Sequence, residues 1–434
     1  MFNIALFIYA LTIIFLLIWV VKRYSILSIY PLTLFFMLGE VPFLFISYFN
    51  TDILYQSALL WVQDLESTYI LHIALRAIFL VCFTCVCLFY KPRAFHNQRR
   101  NKIKSSYLIL LLIVVMASYL GFLFQVGGLG LLLGNMSTKT ELVRGSGITR
   151  LLFVYSCMLL ASVSVCWYAD SINKNNKKIF LLFLLIFIFL LLASYGERKN
   201  SVVFLVIFAL SWHIWVKPIS IFSFKFSFAI FILILFSALA PPLRESGAAV
   251  KYSLEPTMLF YDAIPHLGEL FRRFSDIDMS IFMLNYFDAA DKYFLFSTWP
   301  NFFYGLIPSF LYPGKPPLDE AVIIYNLANG VTPGVGAPFE KFIPVGWPVS
   351  RYTSGLVQFG ILGVFFYSIA TSFFLVMFNN FTMKNNSPFI YPLYVNVAVT
   401  GFGISNAYVF NFMVSILVIG ILYLLYRGQN ALPR

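Results

Sequence analysis

Apolar residues along this chain fall in long unbroken runs instead of the strict alternation of a half-buried strand. The runs occupy 2–21, 25–49, 68–90, 107–125, 151–169, 179–195, 201–216, 226–243, 353–378, 388–409 and 412–426. A bilayer core about 30 Å thick is crossed by a helix of roughly 20 apolar residues. The pattern therefore predicts about eleven transmembrane helices in an all-α polytopic integral membrane protein.

Composition agrees. The 434 residues are 60% hydrophobic and 11% charged, with a mean hydropathy of +0.85, where soluble domains carry about 25% charged residues. The first run, Phe2 to Val21, lacks a basic start and a small-residue cleavage site, so it reads as a spanning helix and not as a cleavable signal. Cys82, Cys85, Cys87, Cys157 and Cys166 all lie inside apolar runs without metal-type neighbours, which points to packing.

Charge then orients the chain. Alternating the connections places Lys22, Arg23, the stretch KPRAFHNQRRNKIK from Lys91 to Lys104, Lys174, Lys177, Lys178, Lys217, Lys225, Lys384, Arg427 and Arg434 on one side. That is 16 cations against a single acid, Asp170, while the other side carries 13 cations and 16 acids. By the positive-inside rule the first side is cytoplasmic and the N-terminus lies outside. The basic balance is a topology signal, so nucleic acid is not an expected partner, whereas membrane lipid is.

This orientation makes the chain one membrane domain, residues 1–434, with an external loop at 126–150 and a much longer one of 109 residues at 244–352, between the eighth and ninth spans. The first is glycine-rich (QVGGLGLLLGN). The second is aromatic and proline-rich, and GELFRRFSDIDMSIFMLNYF and STWPNFFYGLIPSFLYPGKPP predict short amphipathic helices on the outer membrane face. Function is expected on that side.

Candidate chemistry follows from depth and type. Arg198 opens the seventh span after a tight turn, where a guanidinium and free backbone N–H groups can cradle an anion. Arg244, Arg272, Arg273, Lys315 and Arg351 recur near predicted membrane boundaries. Glu40 and Arg76 lie at matching depth, about 14 and 12 Å from the outer ends of their spans, with His72 one turn above Arg76; they are expected to form a structural ion pair. The external acids include Glu197, Glu245, Asp262 and Asp276, but as a base His266 ranks first, then Glu269 and Asp278. The Asp-x-Asp of Asp276 and Asp278 diverges by about 200° on a helix, so it reads as a helix start with first-turn acids and not as a metal site. Trp299, Tyr304, Tyr312 and Trp347 read as an interfacial aromatic belt. No Walker loop, zinc-protease helix, nucleophile elbow or dinucleotide fingerprint occurs.

Three segments carry a resemblance: YGERKNSVVFLVIFAL, LIPSFLYPGKP and VSRYTSGLVQFGILG. In order and spacing they are similar to stretches of the O-antigen (Wzy-type) oligosaccharide repeat-unit polymerases of bacterial inner membranes, a family that includes the enterobacterial common antigen polymerase. The hydropathy plan is similar over most of the chain. One departure is GISNAYVFNF near the last spans, where the common antigen polymerase has an arginine-bearing stretch.

The resemblance implies a GT-C-like glycosyltransferase architecture with its active site facing the periplasm. It implies inverting transfer of a glycan from undecaprenyl pyrophosphate to a hydroxyl of another lipid-linked unit, with neither cofactor nor metal. Arg198 and Arg244, with Arg272, Arg273, Lys315 and Arg351, would then neutralise the departing pyrophosphate. Chain-length regulators and flippases are the implied protein partners. An O-antigen ligase and a lipid-linked oligosaccharide flippase stand as alternatives, and a non-catalytic assembly protein as a third.

Overall fold

The computed structural model describes residues 1–24, 28–93, 103–134, 147–170, 174–195, 198–217, 219, 231–232, 234–235, 238–239, 241–242, 251, 255–272, 275–287, 292–307, 311–346, 353–400 and 405–431. Among these the regular structure is helical: α1 (Phe2–Val21), α2 (Ile29–Phe49), α3 (Gln56–Leu59), α4 (Leu65–Tyr90), α5 (Ser105–Val126), α6 (Leu129–Gly134), α7 (Gly147–Ala169), α8 (Lys174–Ser194), α9 (Arg198–Trp215), α10 (Pro256–Arg272), α11 (Ile277–Tyr286), α12 (Pro300–Leu306), α13 (Glu320–Ala328), α14 (Thr353–Asn385), α15 (Tyr391–Thr400) and α16 (Asn406–Ala431).

Eight of them, α1, α2, α4, α5, α7, α8, α14 and α16, are long and apolar enough to cross a membrane, and α9 is a shorter apolar helix. The chain is a multi-pass membrane protein. The expected run at 226–243 falls largely outside the described residues. The run at 388–409 divides into the ten-residue α15 and the start of α16.

The chain packs as two units. The first comprises residues 1–94, 271–383 and 400–413, the second 95–270, 384–399 and 414–434. The long segment 244–352 is thus shared, with most of α10 in the second unit and α11, α12 and α13 in the first.

In the second unit α7 is the central helix: 83% of its apolar window is buried, against 22% for α8. Small residues explain this. Ala161, Ser156, Ser162 and Ser164 are all buried, and short side chains let neighbouring backbones approach closely in lipid. The Ser162 hydroxyl also donates to the Pro388 carbonyl at 2.6 Å. α10 exposes Met258, Phe260, Tyr261 and Ile264, in line with an interfacial amphipathic helix.

In the first unit, α11 departs from the expected surface helix. Every residue from Ile277 to Met283 is buried, so it is a core element packed on α3 and α4. Its start also differs in detail: the Ser275 hydroxyl, and not the side chain of Asp276, accepts from the Ile277 N–H at 3.2 Å.

α14 is not one continuous helix. Phe359 (φ −145°) and Gly360 (φ +63°) break it, and Gly355 and Gly363 meet backbone to backbone across the break. A Cβ on Gly360 would stand 2.5 Å from the Tyr293 hydroxyl. Glycine is required at such a crossing because the left-handed φ and the close approach leave no room for a side chain.

Candidate functional site

The first unit holds two buried polar clusters and a cavity. The first cluster ties α11 to two spans. Arg76 on α4 is ion-paired with Glu40 on α2, and its Nη2 lies 2.6 Å from Asp276 Oδ1. The Tyr9 hydroxyl of α1 donates to Glu40 Oε1 at 2.7 Å. His72, one turn before Arg76, is fully buried beside them. The expected Glu40–Arg76 pair is therefore present, and Asp276 is the partner that sequence reasoning missed. Nothing local signals it, since Asp276 lies 200 residues from Arg76.

Glu40, His72 and Asp276 bring donor atoms within 4.8 Å of one another, a cluster of ligand types a divalent cation can use. Arg76, however, already bridges both carboxylates, and a metal would have to displace it at the cost of a buried, uncompensated guanidinium. The donor set fits a charge knot that pins α11, not a metal centre. Asp278 points elsewhere: it is buried, and its Oδ1 accepts from the Tyr55 N–H at 2.8 Å. The two aspartates of Asp-x-Asp serve different partners, as their helical divergence requires.

The second cluster sits at the break in α14. Glu320, at the start of α13, is 3% exposed. Its Oε1 accepts from the Thr298 hydroxyl at 2.6 Å and from Gln358 Nε2 at 3.2 Å. Gln358 Nε2 also donates to Thr298 Oγ1 at 2.9 Å, and Asn406 Nδ2 donates to the Thr298 carbonyl at 2.6 Å. Asp319 caps α13 by accepting from the Ala321 N–H at 3.0 Å. Burial pushes the Glu320 carboxyl up from 4.5 to about 7 and raises that of Asp319 as well. A carboxyl poised near neutrality can hold or release a proton at working pH.

Beside this cluster lies a cavity of about 360 Å³. Its lining is mostly apolar, with Ile323 and Leu327 one turn apart on α13, and also includes Tyr286, Tyr293, Ser297, Thr332 and Lys292. Gln358 and the adjoining backbone hold the segment 294–296 in place: the Phe294 and Leu295 N–H groups donate to the carbonyls of Val357 and Gln358 at 3.0 and 3.3 Å, and the Phe296 N–H donates to Gln358 Oε1 at 2.8 Å.

The other sequence candidates are placed as follows. Arg198 opens α9, as the turn before it predicts, but its side chain lies outside what is described. The same holds for the side chains of His266, Glu269 and Arg272 on α10. Glu197, Arg244, Glu245, Arg273, Trp347 and Arg351 lie outside the described residues. Lys315 is half-buried, its Nζ donates to the Ile307 carbonyl at 2.9 Å, and burial lowers its amine pKa. Asp262 pairs with Lys251 at 2.6 Å. Trp299, Tyr304 and Tyr312 are partly exposed, with Tyr304 and Tyr312 packed edge to face at 5.8 Å. Glu320 and Gln358 were not legible as site residues, because each gains its partners from other segments of the chain.

No family model, curated protein or solved structure matches the chain.

Proposed function

We propose that this protein is a membrane-embedded glycosyltransferase that polymerises lipid-diphosphate-linked oligosaccharide repeat units at the periplasmic face of a bacterial inner membrane. The observation that carries the reading is the cavity beside Glu320. In a chain otherwise built of apolar helices, the long segment 244–352 forms with α11, α13 and the connections beside them a half-open hollow, mostly apolar but carrying Tyr286, Tyr293, Ser297, Thr332 and Lys292. A loose linker would not be built this way, and a sugar transferase needs such a chamber.

In this reading an acceptor sugar hydroxyl attacks the anomeric carbon, the bond to the pyrophosphate oxygen breaks with inversion, and a base receives the hydroxyl proton. Arg198 and Arg244, with Arg272, Arg273, Lys315 and Arg351 in support, neutralise the departing pyrophosphate. His266, Glu269 and Asp278 are the candidate bases, although the bond of Asp278 to Tyr55 favours a structural part for it; Glu320 is buried and held by Thr298 and Gln358 outside the cavity lining. Chain-length regulators and flippases would act beside it.

The test is glycan length on a gel, in a polymerase-null host supplied with this chain and its cognate repeat-unit genes. A ladder with wild type that collapses to one repeat with Arg198→Ala or Arg244→Ala is the expected result. A ladder in both variants removes these arginines from the site. Core with one repeat under wild type removes the polymerase reading and turns it toward a ligase or flippase.

A further inference from the structure

The segment before α12 is held under strain. Leu295 (φ +47°) and Phe296 (φ +66°) are consecutive non-glycine residues in the left-handed region, a backbone that persists only where its surroundings over-determine it. Its backbone anchors all come from the break in α14. The carbonyls of Val357 and Gln358 take the Phe294 and Leu295 N–H groups, and Gln358 Oε1 takes that of Phe296. The last of these bonds depends on which way the Gln358 amide faces.

Glu320 sets that orientation. An amide has an acceptor end and a donor end. The acceptor end of Gln358 reaches Phe296 because its Nε2 is drawn the other way, to Glu320 Oε1 at 3.2 Å and to Thr298 Oγ1 at 2.9 Å. The Thr298 hydroxyl in turn donates to the same Glu320 oxygen at 2.6 Å, and the Thr298 carbonyl is held by Asn406 Nδ2 at 2.6 Å. One carboxyl oxygen thus closes a ring of bonds that reaches from α13 to the strained backbone.

That oxygen belongs to a group buried without a counter-ion. Among the described residues no cation stands against Glu320; the titratable groups that face it are Asp319, beside it on α13, and the Tyr367 hydroxyl of α14. Thr298, Gln358 and Asn406, from the other segments of the ring, carry no charge. A buried carboxylate without a cation is costly, and the neighbouring acid adds to the cost, so the closed arrangement keeps a proton on Glu320. Local opening lets water reach the carboxyl, and the proton then leaves to solvent.

We infer that Glu320 is a proton-operated latch: protonated, it holds residues 294–298 against the break in α14, and its ionisation loosens them. Phe294 and Ser297 also line the hollow beside α13, so one wall of that hollow is closed in acid and loosened toward neutrality. The sign follows from the two forms. Burial raises the closed-state carboxyl from 4.5 to about 7, whereas the open form titrates near its ordinary value. Opening therefore grows about tenfold per pH unit between about 4.5 and about 7 and is flat above that. The latch needs no glycan and stands apart from the polymerase reading.

Hydrogen exchange on the purified full-length chain in detergent tests this, read from pH 5 to 8 and corrected for the chemical rate of exchange. Peptides covering 294–298 should open about tenfold more per pH unit up to about 7 and then level off. Peptides of α7, whose buried stretch Phe153–Cys166 carries no carboxyl, should show no such rise. Glu320→Gln keeps an acceptor oxygen and cannot ionise, so its 294–298 peptides should open to the same extent at every pH. Asp319→Asn should keep the rise. A melting curve checks that both variants fold, and wild type decides the matter by itself if Glu320→Gln does not. Opening of 294–298 that ignores pH, an equal rise in α7, or a rise that survives Glu320→Gln or vanishes in Asp319→Asn overturns the latch.

Discussion

Arg76 Nη2 stands 2.6 Å from Asp276 Oδ1, so a charge inside the third long apolar run is neutralised in part by a residue 200 positions away. Glu40 meets the same nitrogen, so one guanidinium joins α2, α4 and the start of α11. In lipid an ionised side chain is tolerated only where it faces such partners, which makes the pairing a condition for α11 to dock.

Removing one member of this knot should cost more than removing several. Arg76→Gln leaves two buried carboxylates without their cation, a loss on the order of 3–5 kcal/mol. The triple change Arg76→Gln, Glu40→Gln, Asp276→Asn should recover most of the melting temperature in detergent. A triple variant no more stable than Arg76→Gln would mean that the three charges do not act as a unit.

The break in α14 should be intolerant of side chains where a lipid-facing glycine is not. Gly360→Ala places a Cβ in left-handed backbone, about 1–2 kcal/mol, and against the Tyr293 hydroxyl as well. Gly420 on α16 has open space around it, so Gly420→Ala should be neutral or gain up to about 1 kcal/mol of helix propensity. Thermal unfolding of the two variants side by side measures the contrast, and equal effects would argue against a tight crossing.

Glu320 gives a pH signature. Its folded-state carboxyl is raised from 4.5 to about 7 by burial, so the folded chain keeps a proton that the unfolded chain releases. The stabilisation is complete below about 4.5, declines as pH rises toward about 7 and is flat above that, with a span on the order of 3 kcal/mol. Glu320→Gln should flatten this limb of the stability profile measured by denaturation in detergent. A limb that survives the substitution assigns it to another group.

Asp278 separates structural from catalytic roles. Its hydrogen bond to the Tyr55 N–H ties α11 to the turn before α3, and Asp278→Ala should lower stability by about 1–3 kcal/mol. Asp278→Asn retains an oxygen acceptor and should keep both fold and glycan elongation. A well-folded Asp278→Asn that makes a single repeat unit would instead mark Asp278 as the base.

Eight of the eleven runs read from sequence coincide with helices long and apolar enough to cross a membrane, because the cost of placing a residue in lipid is local and nearly additive along a run. Sequence alone determined the depth match of Glu40 and Arg76 for the same reason, since two charges in apolar runs must find each other. The start of α9 at Arg198 was legible from the turn before it. Tertiary structure decided that α11 is buried, because its apolar face and its acidic start are both satisfied by residues about 200 positions away. It also decided that 353–378, a continuous apolar run to the eye, is broken at Phe359–Gly360; only the packing of Gly355 on Gly363 and of Tyr293 on Gly360 distinguishes a crossing glycine from one in a lipid-facing helix. Glu320 and Gln358 read as ordinary polar residues until Thr298, itself held by Asn406, joins them. Hydropathy sets where the chain enters lipid, whereas pairing of buried polar groups and the shape of a cavity depend on which distant segments meet.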